Sequence, residues 1–330
     1  MKTKYLIYGN IKEGNLAYEL FCILKLNSEL EVITFNRESF FSPLKIKIFD
    51  RTLILLFNHF LRFFLNISLF YNWFFFKPDI FFSIKGLDIY PIILHYISKK
   101  SKTINWNLDH FLNFNNSNKQ LLNSIKNYHI IFSPKKEVFN KYEKLGAKQI
   151  VFIENFYQKK HHFFQDIKKK YQISFVGSWS KKREKYLMIL SSKFLINVFG
   201  NSWKRKVKMP NIICKENIDQ FEYNYVINSS IINLNFFTVE NNDTSNLRLF
   251  EVAACKGLLL SEFSERASNF LIPDTDAFYF NNEMEILNKV ETILNLKQNK
   301  IDEICNNGFE KIKKYNLEYR VEKILKKINK

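Results

Sequence analysis

The sequence predicts an α/β protein with two consecutive doubly wound domains and a helical tail. Three observations support this prediction: short apolar runs alternate with helix-like segments, several runs end in glycine, and the alternation restarts after a polar, basic stretch at residues 161–170. Strands that alternate with helices form parallel sheets with right-handed crossovers. Such sheets bind ligands at the carboxyl ends of their strands, so we expect a site in a cleft where the two domains face each other.

The first domain is placed at residues 1–165. The predicted strands are residues 4–9, 31–35, 79–86, 102–109, 128–134 and 149–155, and the predicted helices are residues 16–26, 91–100 and 137–145. The strands are short apolar runs bounded by glycine, proline or polar residues, and the helices have longer amphipathic patterns. Gly9 and Gly86 close two of the strand segments, where a ligand is expected.

The second domain is placed at residues 166–330. The predicted strands are residues 171–179, 194–200, 231–235, 257–263 and 277–280, and the predicted helices are residues 181–193 and 245–257. Gly177 and Gly200 mark the ends of two of these strands. The tail from residue 283 onward has a helical pattern, and Gly308 is predicted to separate its two later helices.

Composition limits the possible classes of protein. The 330 residues carry four cysteines, which lie far apart without a CxxC pair, so a disulfide framework or a zinc site is not expected. The chain opens with a predicted strand instead of a signal peptide, and we expect a cytoplasmic protein. The net charge of +18 indicates anionic partners, although an AT-rich genome, which favours lysine, asparagine, isoleucine and phenylalanine, would also raise it.

The segment 52–76 is apolar and long enough to span a bilayer. Arg62 lies near its middle and would cost about 3 kcal/mol on insertion, so packed helices or an interfacial surface are preferred. Aromatic and basic residues concentrate here: Phe40, Phe41, Phe60, Phe63, Phe64, Trp73 and Phe74, with Lys45, Lys47, Arg51 and Arg62. This composition predicts peripheral docking on an anionic inner leaflet. Core packing combined with lysine from codon bias is the alternative.

The predicted helix 245–257 carries the most informative constellation. Thr244, Arg248 and Glu251 are spaced i, i+4, i+7 and share a face separate from the apolar stripe. Asp243, Thr244 and Ser245 are candidate N-caps. A helix N-terminus with an arginine one turn in can bind phosphate oxygens, and a glutamate two turns in can accept ribose hydroxyls. The alternative is an Arg–Glu pair on a solvated strip.

The wider pattern resembles a known family. The quoted segments are SFVGSWSKKREKYL, INVFGNSW, NLRLFEVAACKG, NFLIPDTDAFYFNN and NGFEKIKKYNLEYR, within residues 170–320. This half resembles the C-terminal half of a GT-B glycosyltransferase, and within that fold the CgeB-like group related to glycosyl transferases group 1. KPDIFFSIKG and INWNLDH extend the resemblance more weakly into the first half.

The resemblance implies two Rossmann-like domains and a metal-independent enzyme without a cofactor. Such an enzyme transfers a sugar from a nucleotide-diphosphate sugar, with UDP or GDP, to the hydroxyl of a glycan, lipid-linked or protein acceptor in surface glycan biosynthesis. A GT-B-like binding protein without activity is an alternative. A basic nucleic-acid-binding protein is disfavoured because the basic residues are scattered and arginines are few, so no nucleic-acid partner is expected.

The resemblance also implies roles for the helix 245–257 and the residues before it. Glu251 would hold the donor ribose and Arg248 the diphosphate, with Thr244, Ser245 and Asn246 at the phosphate end. Related retaining enzymes have a glutamate eight residues before the ribose-binding one, and this chain has Asp243 there. A shorter carboxylate can still contact the donor sugar, but it leaves retention or inversion open.

Further donor contacts are implied at the strand ends. The backbone of Gly177 and Ser178 would approach the donor phosphates or the acceptor, because only small residues allow such contact. Arg183 would neutralise the leaving diphosphate, with a solvated side chain as the alternative. Gly200 and Trp203 would flank the nucleobase, and an ordinary core or surface tryptophan is the alternative.

The first domain supplies acceptor-side candidates. Asp109 ends a predicted strand and is the candidate for acceptor contact or general base. An N-cap role for Asp109 is the alternative. Gly9, Lys85 and Gly86 are further acceptor-side candidates. His161 and His162 are adjacent and so diverge, and we expect neither these nor other residues of the chain to bind a metal.

Overall fold

The computed structural model describes residues 2–41, 51–113, 117–238 and 244–329, with the backbone alone for residues 51–56. The chain folds as two units. The first unit comprises Met1–Glu154 and Val321–Lys330, and the second comprises Asn155–Arg320. Each unit contains one parallel sheet of six strands in its described part.

The division between the units differs from the boundary expected after residue 165. The polar, basic stretch at residues 161–170 was expected to be the linker, but it belongs to the second unit and bonds to it. The Phe163 N–H donates to Asn224 Oδ1 at 3.1 Å, and the Gln165 N–H donates to Asn228 Oδ1 at 2.8 Å. The last ten residues belong to the first unit instead of the second, and Lys102 Nζ donates to the Ile328 carbonyl.

The first sheet has the strand order β2-β1-β3-β4-β5-β6, and every neighbouring pair is parallel. Its strands are β1 (Thr3–Gly9), β2 (Leu30–Asn36), β3 (Ile80–Ile84), β4 (Lys102–Trp106), β5 (Ile130–Ser133) and β6 (Ile150–Phe152). The helices that follow them are α1 (Leu16–Lys25), α2 (Glu38–Phe41), α3 (Arg51–Phe76), α4 (Pro91–Ser98), α5 (Lys119–Ser124) and α6 (Phe139–Lys144). The predicted strands are confirmed, although most end earlier than the apolar runs do.

The second sheet has the strand order β12-β11-β10-β7-β8-β9 and is also parallel. Its strands are β7 (Tyr171–Val176), β8 (Ile196–Phe199), β9 (Ile212–Lys215), β10 (Ser230–Asn235), β11 (Leu259–Glu262) and β12 (Phe278–Phe280). The helices are α7 (Lys181–Ser191), α8 (Trp203–Lys206), α9 (Gln220–Asn228), α10 (Leu247–Ala254), α11 (Glu265–Ser268), α12 (Glu283–Leu294), α13 (Gln298–Ile312) and α14 (Leu317–Ile328).

The helical tail differs from the prediction at one glycine. Gly308 lies inside α13 and not between two helices. A Cβ at this position would lie 2.7 Å from the carbonyl oxygen of Asp276. The glycine therefore lets α13 pack closely against the loop before β12, and the break between α13 and α14 falls after Ile312.

Helix α3 accounts for the long apolar segment. Leu65, Leu69 and Trp73 are buried in the core of the first unit. None of the helices in the described part of the chain is long and apolar enough to cross a membrane. Lys45 and Lys47, which the sequence placed with the aromatic residues, lie outside the described residues.

The polar residues of α3 are explained by a buried carboxylate. Asp88 is 2% exposed, and its Oδ1 lies 2.7 Å from Arg62 Nε while its Oδ2 lies 2.6 Å from Arg37 Nη2. Asn118 Nδ2 donates to Oδ1 at 2.9 Å, and Asn66 Nδ2 donates to the Asp88 carbonyl at 2.9 Å. Asp88 thus ties α3 to the ends of β2 and β3 and to the start of α5.

Replacement of Asp88 by alanine removes the carboxylate that pairs with Arg62 and Arg37, and only Arg37 keeps another ion pair, with Glu38. We expect Asp88→Ala to lower the free energy of unfolding of the first unit by about 3 kcal/mol, because breaking a buried ion pair strands the remaining charge. Urea denaturation followed by hydrogen exchange of peptides from residues 1–154 measures the loss. Glu29→Gln, at an exposed carboxylate of the same unit, is the matched control. Equal stability of the two variants would contradict the prediction.

Candidate functional site

The candidate site of the second unit is built around the exit of β7. The Gly177 N–H donates to the Phe199 carbonyl at 2.8 Å, and the Gly177 carbonyl accepts from Trp203 Nε1 at 2.6 Å. A Cβ on Gly200 would lie 2.2 Å from the Gly177 oxygen. The exits of β7 and β8 therefore pack backbone against backbone, which only glycine at position 200 permits.

This packing corrects the expected roles of two residues. Trp203 is fully buried, and its ring stands edge-on to Phe175 at 5.9 Å between centroids. Its faces are covered by the core, so it cannot stack on a nucleobase. Gly200 faces the protein backbone. Both residues support the Gly177 turn instead of flanking a base.

Arg183 holds the same turn from the other side. The side chain is buried, so the solvated alternative is wrong. Nη1 donates to the Ser178 carbonyl at 2.9 Å, and Nη2 donates to the Phe236 carbonyl at 3.3 Å. Helix α7 begins just before it, with Ser180 as N-cap. The Ser178 residue itself is exposed at the turn.

The start of α10 differs from the predicted cap. The N-cap is Asn246, whose Oδ1 accepts from the Leu249 N–H at 3.4 Å and whose Nδ2 donates to Asn235 Oδ1 at 2.8 Å. Ser245 is 2% exposed and bonded to Asn155, so its hydroxyl does not face a ligand. The Thr244 carbonyl accepts from Ser264 Oγ. Asp243 lies outside the described residues.

Arg248 and Glu251 are connected through a tyrosine of α9. Arg248 Nε donates to the Tyr223 hydroxyl at 3.2 Å, and this hydroxyl donates to Glu251 Oε2 at 3.1 Å. No ion pair of the described residues joins Arg248 directly to Glu251. Burial raises the pKa of Tyr223 well above its usual value, and Glu251 adds to the rise while Arg248 opposes it. Tyr223 therefore stays protonated and can donate to the carboxylate.

His162 approaches the other oxygen of the same carboxylate. Its Nδ1 accepts from the Gln158 N–H at 3.2 Å, so the neutral ring carries its proton on Nε2. Nε2 lies 3.9 Å from Glu251 Oε1. Burial lowers the pKa of His162, although the charge of Glu251 raises it. The neutral imidazole is therefore a neighbour of the Glu251 carboxylate, at a distance too long for a hydrogen bond. Sequence reasoning missed this role, since it considered His162 only as a metal ligand.

Two arginine side chains of the site lie close to one aromatic ring. The guanidinium carbons of Arg183 and Arg248 lie 5.4 Å and 5.6 Å from the centroid of Phe175, which is within cation–π range. Phe175 lies on β7, next to the turn that begins at Gly177. The described residues contain no group of three or more His, Cys, Asp and Glu side chains that could hold a metal ion. Cationic guanidinium groups thus concentrate at the β7 exit.

In the first unit, two separately predicted residues form an ion pair. Lys85 Nζ lies 2.6 Å from Asp109 Oδ2, and the Asp109 N–H donates to Asn107 Oδ1 at 3.1 Å. Asp109 is not a helix N-cap: it lies in a loop, and Asn118 caps α5. The side chain of Asp109 is 22% exposed. A carboxylate and an ammonium group are therefore paired beyond the ends of β3 and β4.

The two glycines of this unit have packing roles. Gly86 has a left-handed φ of +77°, and a Cβ there would lie 2.4 Å from the Tyr128 hydroxyl. A Cβ on Gly9 would lie 2.7 Å from the Cβ of Ala17 on α1. Neither glycine is therefore open on its Cβ side, and ligand contact is possible only through their backbone atoms.

Comparison with family models now assigns the chain. The model of the family described as "Glycosyl transferase-like" matches residues 159–326. The chain belongs to this family. The comparison with curated proteins found no match.

Solved structures match over almost the full length of the chain. Sucrose-phosphate synthase from Thermosynechococcus elongatus has a TM-score of 0.66 at 10% identity and covers 99% of this chain and 98% of its own. Anabaena HepE in complex with UDP has a TM-score of 0.66 at 10% identity, and the match covers 99% of this chain and 100% of HepE. A glycosyltransferase from Rickettsia africae has a TM-score of 0.65 at 13% identity, and the match covers 98% of this chain and 97% of that protein. The protein has the GT-B fold of these structures.

The close approach at Gly200 can be tested by one methyl group. Gly200→Ala places a Cβ against the Gly177 carbonyl, so the β7–α7 turn must shift, and we expect a loss of about 1–3 kcal/mol in the free energy of unfolding of the second unit. Faster hydrogen exchange at residues 177–183 should accompany the loss. Asn201→Ala, at the exposed neighbour, is the control and should change neither quantity. Native stability and exchange in Gly200→Ala would show that the turn does not depend on this contact.

Proposed function

We propose that this glycosyl transferase-like protein transfers a sugar from a nucleotide-diphosphate sugar to an acceptor hydroxyl. The observation that carries the proposal is that Arg248 and Glu251 of α10, beside the β7 exit, are connected through the Tyr223 hydroxyl of α9. A cation and a carboxylate one turn apart match the two ends of a nucleoside diphosphate. Support also comes from HepE of Anabaena, which is described in complex with UDP and with UDP-glucose, so UDP is the first nucleotide to test.

The donor roles follow from the chemistry of each group. Arg248 and the backbone N–H groups at the start of α10 bind the diphosphate, since a helix N-terminus and a guanidinium group both favour phosphate oxygens. Glu251 accepts hydrogen bonds from the ribose hydroxyls. Tyr223 orients the Glu251 carboxylate by its hydrogen bond, and the neutral ring of His162 lies beside it. Arg183 bonds to backbone carbonyls, so its part is to hold the Gly177–Ser178 turn near the phosphates.

The leaving diphosphate is stabilised by these fixed donors in our proposal, without a bound metal. Donors that are already oriented act on the charge that develops in the transition state and need no rearrangement during the reaction. The transferred sugar is a hexose or a related sugar in this proposal, and Asp243, which lies outside the described residues, is the candidate for contact with it.

The acceptor is proposed to bind the first unit at the ends of β3 and β4. Asp109 takes the proton of the acceptor hydroxyl, and the ion pair with Lys85 holds the Asp109 carboxylate in position. We propose a glycan, lipid-linked or protein acceptor in surface glycan biosynthesis, reached from the cytoplasm by peripheral contact with the membrane. The four free cysteines fit a reducing compartment.

The proposed donor can be identified by thermal stabilisation with UDP-, GDP-, ADP- and CMP-sugars, because a ligand that binds the native state raises the melting temperature. We expect UDP-sugars to give the largest increase. Glu251→Gln should weaken this binding by about 1–3 kcal/mol, the usual loss for a hydrogen bond to a charged group.

Glu265→Gln, at an exposed carboxylate on α11, is the matched control for Glu251 and should bind the donor normally. Unchanged donor affinity in a folded Glu251→Gln protein would remove Glu251 from the donor site. Stabilisation by a nucleotide sugar without release of its nucleotide would favour a binding protein over an enzyme.

The role of Asp109 predicts a separation of turnover from donor binding. Asp109→Asn should lower kcat by about 10²–10⁴-fold, the usual contribution of a general base, while the affinity for the donor stays the same. Release of nucleotide from the best-binding donor in the presence of acceptor measures turnover, and Asp302→Asn on the exposed side of α13 is the control. If Asp109→Asn keeps full turnover, Asp109 serves only to position its loop.

A further inference from the structure

The outer side of α3 carries a continuous apolar stripe. Its members are large, between 43% and 62% exposed, and spaced alternately three and four residues apart: Phe57, Phe60, Phe64, Ile67, Tyr71 and Phe74. This spacing keeps side chains on one face of a helix, and the stripe runs for about 25 Å at 1.5 Å per residue. The opposite side of α3 is buried in the core. Helix α3 is therefore apolar on its inner side and also on the side that faces solvent.

Helix α4 extends this exposed surface. Ile92 and Tyr96 are one turn apart, and they are 58% and 55% exposed. The inward residues Leu94 and Ile97 share a core with those of α3, and the two helices contact each other. The exposed residues of both helices therefore lie on the same outer side of the first unit. We call this surface, formed by the stripe with Ile92 and Tyr96, the α3–α4 face.

Lysines outnumber acidic residues around the α3–α4 face. Residues 57–76 and α4 contain no aspartate or glutamate. Exposed Lys77 follows α3, and exposed Lys100 follows α4; both line a cavity of about 340 Å³ together with Phe74. Asp79 also lines this cavity, and its Oδ2 accepts a hydrogen bond from the Lys4 N–H. One end of the face is thus rimmed by ammonium groups next to exposed aromatic rings.

We propose that the α3–α4 face docks on an anionic lipid bilayer, with α3 lying in the plane of the interface. Aromatic rings beside lysines suit the boundary between headgroups and acyl chains, where the rings enter the apolar layer and the ammonium groups meet anionic phosphates. A second copy of the chain fits less well, because it would bring two lysine-rimmed faces of a protein with net charge +18 together. The inference rests on the proposed function, to which it adds the surface that brings the enzyme to a membrane-proximal acceptor.

Vesicle flotation of the full chain tests the docking. The vesicles contain phosphatidylcholine alone, or phosphatidylcholine with phosphatidylglycerol at about one-third of the lipid. We expect flotation with the anionic vesicles and little with the neutral ones. The bound fraction should fall when salt rises from about 50 mM to about 500 mM, because salt screens the attraction. Equal recovery in the soluble fraction with both vesicle types overturns the proposal.

Two sets of variants separate the apolar and charged parts of the face. Phe60→Gln with Phe64→Gln should lower the bound fraction at least tenfold. The matched control is Leu26→Gln with Met284→Gln, at apolar residues that are 88% and 81% exposed elsewhere, and it should float like the native protein. Lys77→Gln and Lys100→Gln should each lower affinity for the anionic vesicles about fivefold, the equivalent of about 1 kcal/mol per lysine.

The remaining outcomes decide between partners. Undiminished flotation of the double phenylalanine variant overturns the proposal. The proposal is also overturned if analytical ultracentrifugation shows that the native protein is a dimer and that this variant is a monomer, because the face would then bind a second copy. Stabilisation by the nucleotide sugar is measured on the same proteins and should be equal in all of them. Loss of vesicle binding with donor binding intact, or the reverse, therefore distinguishes failure of the docking from failure of the proposed function.

Discussion

The candidate site depends on one close backbone approach, between the exits of β7 and β8. The Gly177 carbonyl lies where a side chain at position 200 would stand, with a Cβ only 2.2 Å away. Trp203 Nε1 donates a hydrogen bond to that carbonyl. Arg183 Nη1 donates a hydrogen bond to the following carbonyl, that of Ser178. A cation and an indole are thus buried to fix two peptide groups. This fixes the exposed turn next to the Phe175 ring, which Arg248 of α10 also approaches.

The second constraint is electrostatic. A direct pair between Arg248 and Glu251 would satisfy each charge with the other and leave little attraction for a ligand. In this protein the Tyr223 hydroxyl connects the two groups instead, donating to Glu251 and accepting from Arg248 Nε. The two terminal nitrogens of the guanidinium are not used by that bond. The neutral ring of His162 lies beside Glu251 and adds no charge to the site. A half-buried cation and carboxylate can therefore be kept side by side for opposite ends of one ligand.

The fold could be predicted from the sequence because the buried strands of a parallel sheet appear as short apolar runs. Side-chain direction could not be predicted in the same way. Trp203 and Ser245 follow strands or precede a helix, as ligand-binding residues do, yet both turn into the protein. The partners of Glu251 were missed because His162 and Tyr223 are 89 and 28 residues away in the chain. Helix α9, which carries Tyr223, could have been predicted from the sequence, since Asp219 and Glu222 form its capping box.

The polar residues of α3 also connect this helix to the loop that follows β3. Arg62 bonds to the Asp88 carboxylate, and Asn66 Nδ2 donates to the Asp88 backbone carbonyl. Asn66 Oδ1 also accepts a hydrogen bond from the Tyr90 N–H. The loop that they hold begins at Lys85, whose ammonium group pairs with Asp109. A short chain of contacts thus runs from the outer helix through Asp88 to the proposed acceptor-side carboxylate. Because α3 has apolar residues outside and these polar anchors inside, the helix of the proposed docking surface also holds the loop that follows β3.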